Sequence, residues 1–481
     1  MSLQKQTISG LFWTFSQRFS VQLINFGVSI IMARVLLPAD YGLIGMLTVF
    51  MAIGSSLMDS GLSSSLIRTP DADQKDYSTV FFINIIGSII FYAILFLTAP
   101  LIASFYNQEI LTLIIRVYTL SFIISAFVGV QSTRLTKEMN FKTQMKIQIP
   151  SVIGGGALGV LLAYLDYGVW SLVWMNLLQS TLSAIQHWIY SGWRPNFLFD
   201  KERFKYHFNF GYKLTLSGLL DTIYSNIYNL IIGKFFPVAY LGYYTRAKSL
   251  QQLPVQNISS ALNKVTYPMF SAMQHENVKL KMAYKKLMQQ VLFWIAPTMI
   301  LLGVIAEPLI RFLLTAKWVP AVPYFQTLCA AGILYPLNSY NLNILKVKGR
   351  SDLFLKLEII KKVIITVGIF IAVPFGIYGL LYLQVIISFV AYFINSWYSG
   401  KMIDYPMIEQ VRNILPIILL ATVLGGFSWF VDRYYLVQVL HMIDFGRIVI
   451  MGGLYFILYL AISQAIKIPA ILDFRKLILK R

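Results

Sequence analysis

The chain has 481 residues, of which 57% are hydrophobic and only 12% are charged, about half the charged fraction of an ordinary soluble domain. Its formal net charge is +20, but the cations are spread between apolar runs instead of being clustered on one face or tail, which argues against a nucleic-acid-binding protein. The single cysteine, Cys329, excludes an internal disulfide. The composition therefore indicates an α-helical membrane protein whose apolar side chains face lipid.

Apolar runs long enough to cross a bilayer recur along the whole chain, since one crossing needs about 20 residues. Breaks at Gly, Pro and charged residues set their boundaries. The first half predicts spans at residues 10–36, 41–66, 78–105, 109–132, 147–165 and 167–192. The second half predicts spans at residues 209–233, 238–266, 286–314, 320–345, 355–373, 376–400, 412–431 and 447–466. We therefore expect an all-α polytopic membrane protein with about 14 transmembrane helices.

Lys and Arg are concentrated in alternate connections between the predicted spans. The basic connections include Arg134, Lys137, Lys142, Lys146, Arg194, Lys201, Arg203, Lys205, Lys346, Lys348 and Arg350. The intervening connections contain Arg34, Lys234, Lys317, Arg433 and Arg447. Because short loops rich in Lys and Arg stay in the cytoplasm, this pattern predicts cytoplasmic amino and carboxyl termini. The connections are short and lack the GxxxxGK[ST] phosphate loop of an ATP-driven pump, so we expect the protein to work within the membrane.

An internal repeat links two parts of the chain. Residues 31–42 (IMARVLLPADYG) match residues 231–242 (IIGKFFPVAYLG) at an offset of 200, and Gly42 then corresponds to Gly242. In both segments an apolar helix ends in a cation followed by a short turn that contains Pro. The repeat predicts two parallel six-helix lobes with substrate between them, unless two membrane hairpins are similar by chance. We expect lobes at residues 1–200 and 201–402, with two additional helices and a cytoplasmic tail at residues 403–481.

Polar side chains follow one face of several predicted spans, at steps of three or four residues. The first two spans carry Thr14, Arg18, Gln22, Asn25 and Ser29, then Ser55, Ser56, Asp59, Ser60 and Ser63. The spans at 209–233 and 238–266 carry Ser217, Asp221, Ser225 and Tyr228, then Thr245, Lys248, Gln252, Gln256 and Ser259, with Arg246 nearby. Intramembrane polar groups usually face the bundle interior or a watery cavity. We therefore expect these faces to line one central cavity suited to sugar hydroxyls and phosphate oxygens.

Cations and amides in these spans are the expected substrate contacts. The predicted substrate-binding residues are Arg18, Arg116, Arg246, Lys248, Gln22, Asn25 and Gln252. A guanidinium clamps phosphate through two hydrogen bonds, whereas an ammonium acts as a point charge. The alternative for each cation is that its side chain reaches back to the membrane interface.

Two intramembrane carboxylates are the candidates for ion coupling. Asp221 lies near the middle of its predicted span and Asp59 lies nearer the cytoplasmic end. The alternative for Asp221 is pairing with a cationic neighbour. The four histidines, His187, His207, His275 and His441, lack the spacing of metal ligands. The sequence therefore predicts no metal site and no cofactor.

Several short motifs together resemble a known family. They are GLFWTFSQR at residues 10–18, ARVLLPADYG at 33–42, LGYYTRA at 241–247 running on to Pro254, NKVTYP at 263–268 and VKGRSD at 347–352. With these motifs the chain resembles the polysaccharide transporters of the multidrug/oligosaccharidyl-lipid/polysaccharide (MOP) exporter superfamily, particularly the Wzx and WzxC-like branch. The resemblance extends over nearly the whole chain.

The resemblance implies a flippase, not an enzyme, in the inner membrane of a bacterium. Its substrate would be a polyprenyl-pyrophosphate-linked oligosaccharide, a repeat unit of surface polysaccharide or lipopolysaccharide, which crosses by alternating access while its prenyl tail stays in membrane lipid. Arg18 and Arg246 would be among the cations that face the cavity, and H⁺ or Na⁺ coupling is typical of relatives. Polymerase and glycosyltransferases of the same pathway would be partners. The alternatives are a drug exporter of the same superfamily, or a membrane-embedded polysaccharide polymerase or glycosyltransferase.

Overall fold

The computed structural model describes the backbone of residues 3–59 and 61–479. Side chains outside the description are those of residues 3–12, 59, 214, 217, 256–258, 260–265, 474 and 476–479. Within the described ranges every regular element is a helix and no strand occurs, so the predicted all-α class is confirmed. The chain forms two compact units, Met1–Gly242 and Tyr243–Arg481.

The first unit contains α1 (Leu3–Val35), α2 (Pro38–Asp59), α3 (Leu62–Arg68), α4 (Gln74–Tyr106), α5 (Leu111–Tyr118), α6 (Leu120–Ala126), α7 (Gly129–Lys137), α8 (Phe141–Tyr164), α9 (Val169–Tyr190), α10 (Lys201–Ser225) and α11 (Ile227–Phe235). The next helix, α12 (Val238–Ala272), begins in this unit and continues in the second. The second unit goes on with α13 (Asn277–Val304), α14 (Ala306–Leu314), α15 (Val322–Gly332), α16 (Tyr335–Val347), α17 (Ser351–Ala372), α18 (Gly376–Met402), α19 (Met407–Phe430), α20 (Asp444–Ala465) and α21 (Pro469–Leu479).

Seven helical segments in the described ranges are long and apolar enough to cross a membrane. They are Pro38–Arg68, Gln74–Tyr106, Phe141–Tyr164, Asn277–Val304, Ser351–Met402, Met407–Leu436 and Asp444–Ala465. A pair bent by 45°, Leu111–Ala126 with Gly129–Lys137, would make an eighth. The chain is therefore a multi-pass membrane protein, and the total of about 14 crossings stays a prediction.

Some predicted spans are interrupted. The span predicted at residues 109–132 is bent and not one continuous helix, because it forms α5, α6 and α7. Near the first break the Thr119 hydroxyl donates to the Ile115 carbonyl at 2.6 Å and the Ser121 hydroxyl donates to the Tyr118 carbonyl at 2.7 Å. Such local bonds from Ser and Thr compete with a continuous helix.

A run of glycines places α8 between α1 and α9. A Cβ added to Gly156 would lie 2.7 Å from Val28 of α1, and one added to Gly159 would lie 2.8 Å from Met175 of α9. A larger residue at either position would push the helices apart. Small residues let helix backbones approach closely within a membrane, where apolar burial gives little driving force. The two glycines thus allow α8 to pack closely against both α1 and α9.

The internal repeat reappears in the helix boundaries. The helix α1 ends at Val35 and α11 ends at Phe235, while α2 begins at Pro38 and α12 begins at Val238. Both pairs of boundaries differ by the 200 residues that separate the matching sequence segments. The two turns therefore have the same local structure.

A cluster of charges joins the last helices of the second unit. The Arg447 guanidinium donates to both carboxylate oxygens of Asp432, at 2.9 and 2.6 Å, and both side chains are buried. Arg447 also contacts Asp444 at 3.1 Å, and Arg311 of α14 contacts the same carboxylate at 3.5 Å. Asp432 lies in a π-helical segment, Val431–Leu436. These ion pairs hold the segment between α19 and α20 against α14.

Candidate functional site

A cavity of about 650 Å³ lies between α2, α3 and the adjacent ends of α10 and α11. We call it the hydroxyl pocket, and it is lined by Ala52, Ser55, Ser56, Gly61, Ser64, Thr215, Asp221, Thr222, Ser225 and Asn226. Of the α10 residues in this lining, Thr215 and Thr222 lie seven residues apart and Asp221 and Ser225 lie four apart, spacings that place each pair on one helical face. The polar faces predicted for the spans at 41–66 and 209–233 therefore meet here, and Asp221 adds a carboxylate to the hydroxyls.

A second cavity of about 360 Å³ adjoins the first at Ser55, which lines both. We call it the amide pocket, and it is lined by Met51, Ser55, Met58, Ser63, Asn84, Ser121, Phe122, Ser125, Ala126, Gly129, Asn176 and Ser180. The helices α2, α3, α4, α6, α7 and α9 all contribute. The two pockets of the first unit thus adjoin each other along α2, and we call them together the polar path.

The chemistry of the two pockets suits an uncharged polar ligand. Hydroxyl and amide groups both donate and accept hydrogen bonds, as sugar hydroxyls do. Among the residues that the structure describes as lining either pocket there is no Lys or Arg. The described ranges also contain no group of three or more His, Cys, Asp or Glu that could hold a metal ion. The described linings therefore offer hydrogen-bond donors and acceptors together with one carboxylate, that of Asp221.

The predicted residues of the first span lie on one side of α1. Arg18 and Asn25 are exposed and Gln22 is half-buried. The adjacent residue, Gln17, is buried, and its amide donates to Gln148 of α8 at 2.8 Å. Arg18 therefore lies beside the face of α1 that packs against α8, and not on that face.

Arg116 contacts the side of α4. Its Nε donates to the Phe96 carbonyl at 3.4 Å, and its guanidinium lies 4.3 Å from the centre of the Phe96 ring. Arg116 is not among the residues described as lining the hydroxyl pocket or the amide pocket. A guanidinium over an aromatic ring is stabilised by the ring quadrupole.

The remaining predicted cations lie on α12. The Lys248 ammonium is 5.6 Å from the centre of the Tyr244 ring, and the Tyr244 hydroxyl donates to Gln384 of α18 at 3.1 Å. Arg246, Lys248 and Gln252 are all half-buried. Of the two ion-coupling candidates, Asp221 lines the hydroxyl pocket, whereas the Asp59 side chain is outside the described part of the structure.

Several residues of the amide pocket were not predicted. They are Asn84, Ser121, Ser125, Asn176 and Ser180. Each helix supplies only one or two of them, so no span shows a polar face of its own. The spacing of Ser121 and Ser125, one helical turn apart, is the signal that could have found part of this site.

A serine, a histidine and an aspartate meet where α3, α4 and α10 come together. The Ser65 hydroxyl lies 2.7 Å from His207 Nδ1, and His207 Nε2 lies 3.0 Å from Asp76 Oδ1. In a hydrolase triad serine contacts Nε2 and the carboxylate contacts Nδ1, so the ring here is reversed. All three side chains are buried, and the group holds helices together instead of attacking a substrate.

Comparison with solved structures shows which proteins have the same fold. The fold matches the lipid II flippase MurJ in an inward closed conformation, with a TM-score of 0.67 and 14% identity over 93% of this chain and 99% of that chain. It also matches an inward-facing multidrug resistance transporter of the MATE family and MOP superfamily, with a TM-score of 0.59 and 17% identity over 79% of this chain and 95% of that chain. The chain therefore shares the fold of these two proteins.

Sequence comparison gives the family. The chain is 27% identical to teichuronic acid biosynthesis protein TuaB of Bacillus subtilis (strain 168), over 88% of each chain. It is 24% identical to lipopolysaccharide biosynthesis protein WzxC of Escherichia coli (strain K12), over 82% of each chain. Residues 31–323 match the model of the polysaccharide biosynthesis protein family, and the chain belongs to that family. The predicted resemblance to WzxC-like transporters is confirmed. The similar proteins are named as transport proteins and a flippase, as predicted, and not as enzymes.

Proposed function

We propose that this protein moves a polyprenyl-pyrophosphate-linked oligosaccharide, a repeat unit of surface polysaccharide or lipopolysaccharide, across the bacterial inner membrane. The observation that carries the proposal is the pair of adjoining pockets in the first unit, the hydroxyl pocket and the amide pocket, which are lined by hydroxyl and amide groups and share Ser55. Sugar units are rich in hydroxyls that pair with such groups. Membership of the polysaccharide biosynthesis family supports the same class of cargo.

The proposed movement is alternating access by two lobes, residues 1–200 and 201–402, with residues 403–481 as an added pair of helices and a tail. The matching helix boundaries at the two repeat turns support equivalent roles for the lobes. MurJ, whose fold this chain shares, is named as a lipid II flippase. A polymerase or glycosyltransferases that make or consume the repeat unit are the proposed partners.

The proposed pyrophosphate contacts are Arg18 and Arg246, assisted by Arg116 and Lys248, while Gln22, Asn25 and Gln252 contact sugars. Asp221 and Asp59 are the proposed sites of ion coupling. A single guanidinium binds two phosphate oxygens at once, which an ammonium cannot match. Arg18→Ala and Arg246→Ala should therefore abolish export with normal membrane insertion. Arg412→Ala, which removes an exposed cation at the start of α19, is the control and should export normally; full export by both test variants would contradict the cation assignment.

The leaflet in which lipid-linked units accumulate tests the function itself. After depletion of the protein, completed units should collect on the inner leaflet, where a membrane-impermeant sugar-oxidising reagent cannot reach them in intact spheroplasts. Unpolymerised units that the reagent does reach would point to a polymerase and contradict the proposal. Reporter fusions at each end test the proposed orientation, since both ends should lie in the cytoplasm.

A further inference from the structure

A third cavity in the first unit is apolar. It has a volume of about 310 Å³ and lies between α2, α3, α4 and α10. We call it the apolar groove, and it is lined by Leu57, Met58, Leu62, Ile83, Asn84, Gly87, Ser88, Ile90, Phe91, Ile94 and Phe208. Most of these side chains are hydrocarbon, so the groove offers little to a sugar.

The apolar groove opens onto the exposed surface of α4. Ile90 and Ile94 line the groove and yet are 55% and 51% exposed. The exposed apolar surface of the same helix continues beyond them to Leu97 and Leu101. Inside a bilayer no water is available to solvate polar groups, so a surface that is exposed to lipid chains is apolar. We therefore expect this exposed surface of α4 to face lipid chains. The groove therefore joins the protein interior to the lipid.

The apolar groove also joins the polar path. Met58 and Asn84 line both the groove and the amide pocket, and Ser55 in turn joins the amide pocket to the hydroxyl pocket. At the junction the Asn84 amide supplies N–H donors, which suit the oxygens of a phosphate link. The order along this route is hydroxyl-lined, then amide-lined, then hydrocarbon-lined. That order matches an amphiphile with a sugar head and one long hydrocarbon chain.

Gly87 leaves room within the groove. A Cβ added at Gly87 would meet no heavy atom within 4 Å. The α4 residues that line the groove, from Ile83 to Ile94, occupy the middle third of that helix, which runs from Gln74 to Tyr106. With the Gln74 end of α4 in the cytoplasm, as the proposed orientation requires, the groove extends from the inner leaflet into the middle of the bilayer.

We propose that the apolar groove binds the prenyl chain of the lipid-linked oligosaccharide while its sugars occupy the amide and hydroxyl pockets. The inference rests on the proposed function. Sugar binding in the adjoining pocket raises the effective concentration of the attached chain at the groove, an advantage that a membrane phospholipid lacks. The small volume of the groove suits a single chain more than a diacyl lipid.

The test compares head-group binding with and without a long tail. Purified wild-type protein in detergent is titrated with a fluorescent oligosaccharide pyrophosphate that carries either a long polyprenyl chain or a geranyl chain. We expect the wild type to prefer the long chain by on the order of tenfold. Gly87→Phe should fill the groove and remove the preference, with geranyl-linked binding unchanged, and Gly87→Leu should remove part of it.

Gly453→Phe is the matched control, because Gly453 is an exposed glycine of α20 with no heavy atom within 4 Å of an added Cβ. It should keep the preference of the wild type. A preference that persists in Gly87→Phe and Gly87→Leu would overturn the tail site and leave the proposed function standing. Loss of the preference in excess phosphatidylglycerol, but not in excess polyprenol, would reassign the groove to phospholipid. Absence of binding to both ligands by the wild type would overturn the proposed function together with the tail site.

Discussion

His207 Nε2 lies 3.0 Å from Asp76 Oδ1, and neither side chain has any exposed surface. His207 belongs to α10 and Asp76 to the first turn of α4, so the contact joins two helices distant in sequence. The Arg203 guanidinium approaches the same carboxylate oxygen at 3.4 Å. Asp76 also accepts from the Asp73 backbone N–H at 2.9 Å, as part of a capping box at the start of α4.

Asp76→Ala should therefore destabilise the folded protein by about 1 to 3 kcal/mol, because His207 loses a hydrogen-bond partner and stays buried. The thermal unfolding midpoint in detergent measures the effect. Asp71→Ala, which removes an exposed carboxylate from the neighbouring loop, should leave the midpoint unchanged. Equal midpoints for the two variants would show that the buried pair adds nothing to stability.

The stability that the start of α10 adds to the folded protein should decrease at acid pH. Asp200 caps this helix, and its carboxylate accepts from the backbone N–H groups of Arg203 and Glu202. The Arg203 backbone bond is the main cause that lowers the Asp200 pKa below its ordinary value of 3.8. A lowered pKa in the folded state adds stability that is complete above the unfolded value and is lost as the pH falls through the folded value.

Asp200→Asn keeps an acceptor for the cap but does not titrate. The wild type should be the more stable protein at neutral pH, and the difference between their unfolding midpoints should narrow as the pH falls below 3.8. Midpoints measured across the acid range give the answer. Parallel curves for the two proteins would contradict a titrating cap at Asp200.

Ser55 lines both polar pockets, so its substitution should affect cargo before it affects folding. Ser55→Val removes one hydroxyl, and a lost hydrogen bond of about 0.5 to 1.5 kcal/mol corresponds to about a two- to tenfold loss of affinity. Binding of the sugar-pyrophosphate ligand by the purified variant measures it. Thr98→Val is the control, because the Thr98 hydroxyl bonds only to the Ile94 carbonyl of its own helix among the contacts described for it. Comparable losses in both variants would remove Ser55 from the binding path.

The buried pair of Arg447 and Asp432 allows a test by replacement. Asp432→Ala should cost about 3 to 5 kcal/mol, because it leaves the guanidinium buried with fewer acceptors. Replacement of both members by apolar residues, Asp432→Leu with Arg447→Met, should recover most of the lost stability. Unfolding midpoints and protease cleavage after α19 give the two measurements. A double variant as unstable as the single one would mean that the pair itself, and not the unpaired charge, sets the stability.

The helices were predictable because apolar length alone identifies a membrane span, and α4, α8 and α20 fall where the sequence predicts them. The break at Asn226 was not predictable from apolar length. There the Asn226 amide donates to the Thr222 carbonyl at 2.9 Å and α11 begins at the next residue. Local side-chain bonds of this kind leave the hydropathy of a span unchanged.

The site was predictable where one helix carries the whole signal. Asp221 and Ser225 stand one turn apart on α10 and both line the hydroxyl pocket, as their spacing predicts. Asn84 gave no such signal, because α4 is otherwise strongly apolar and only packing against α7 and α9 brings this amide to the others. Arg116 shows a further limit, since spacing alone does not reveal that its guanidinium meets Phe96.

The two repeat turns contact each other reciprocally. A Cβ added to Gly42 would lie 2.0 Å from the Val238 carbonyl oxygen, and one added to Gly242 would lie 1.9 Å from the Pro38 carbonyl oxygen. Pro38 and Val238 are equivalent positions of the repeat, so each glycine contacts the same position in the other copy. This is the geometry of an isologous contact in a two-fold symmetric dimer. The turn that opens α2 and the turn that opens α12 behave as two copies of one self-complementary surface, joined in a single polypeptide. A change made at one glycine should therefore be compensated at positions around its own repeat counterpart, as in a homodimer whose subunits have been fused.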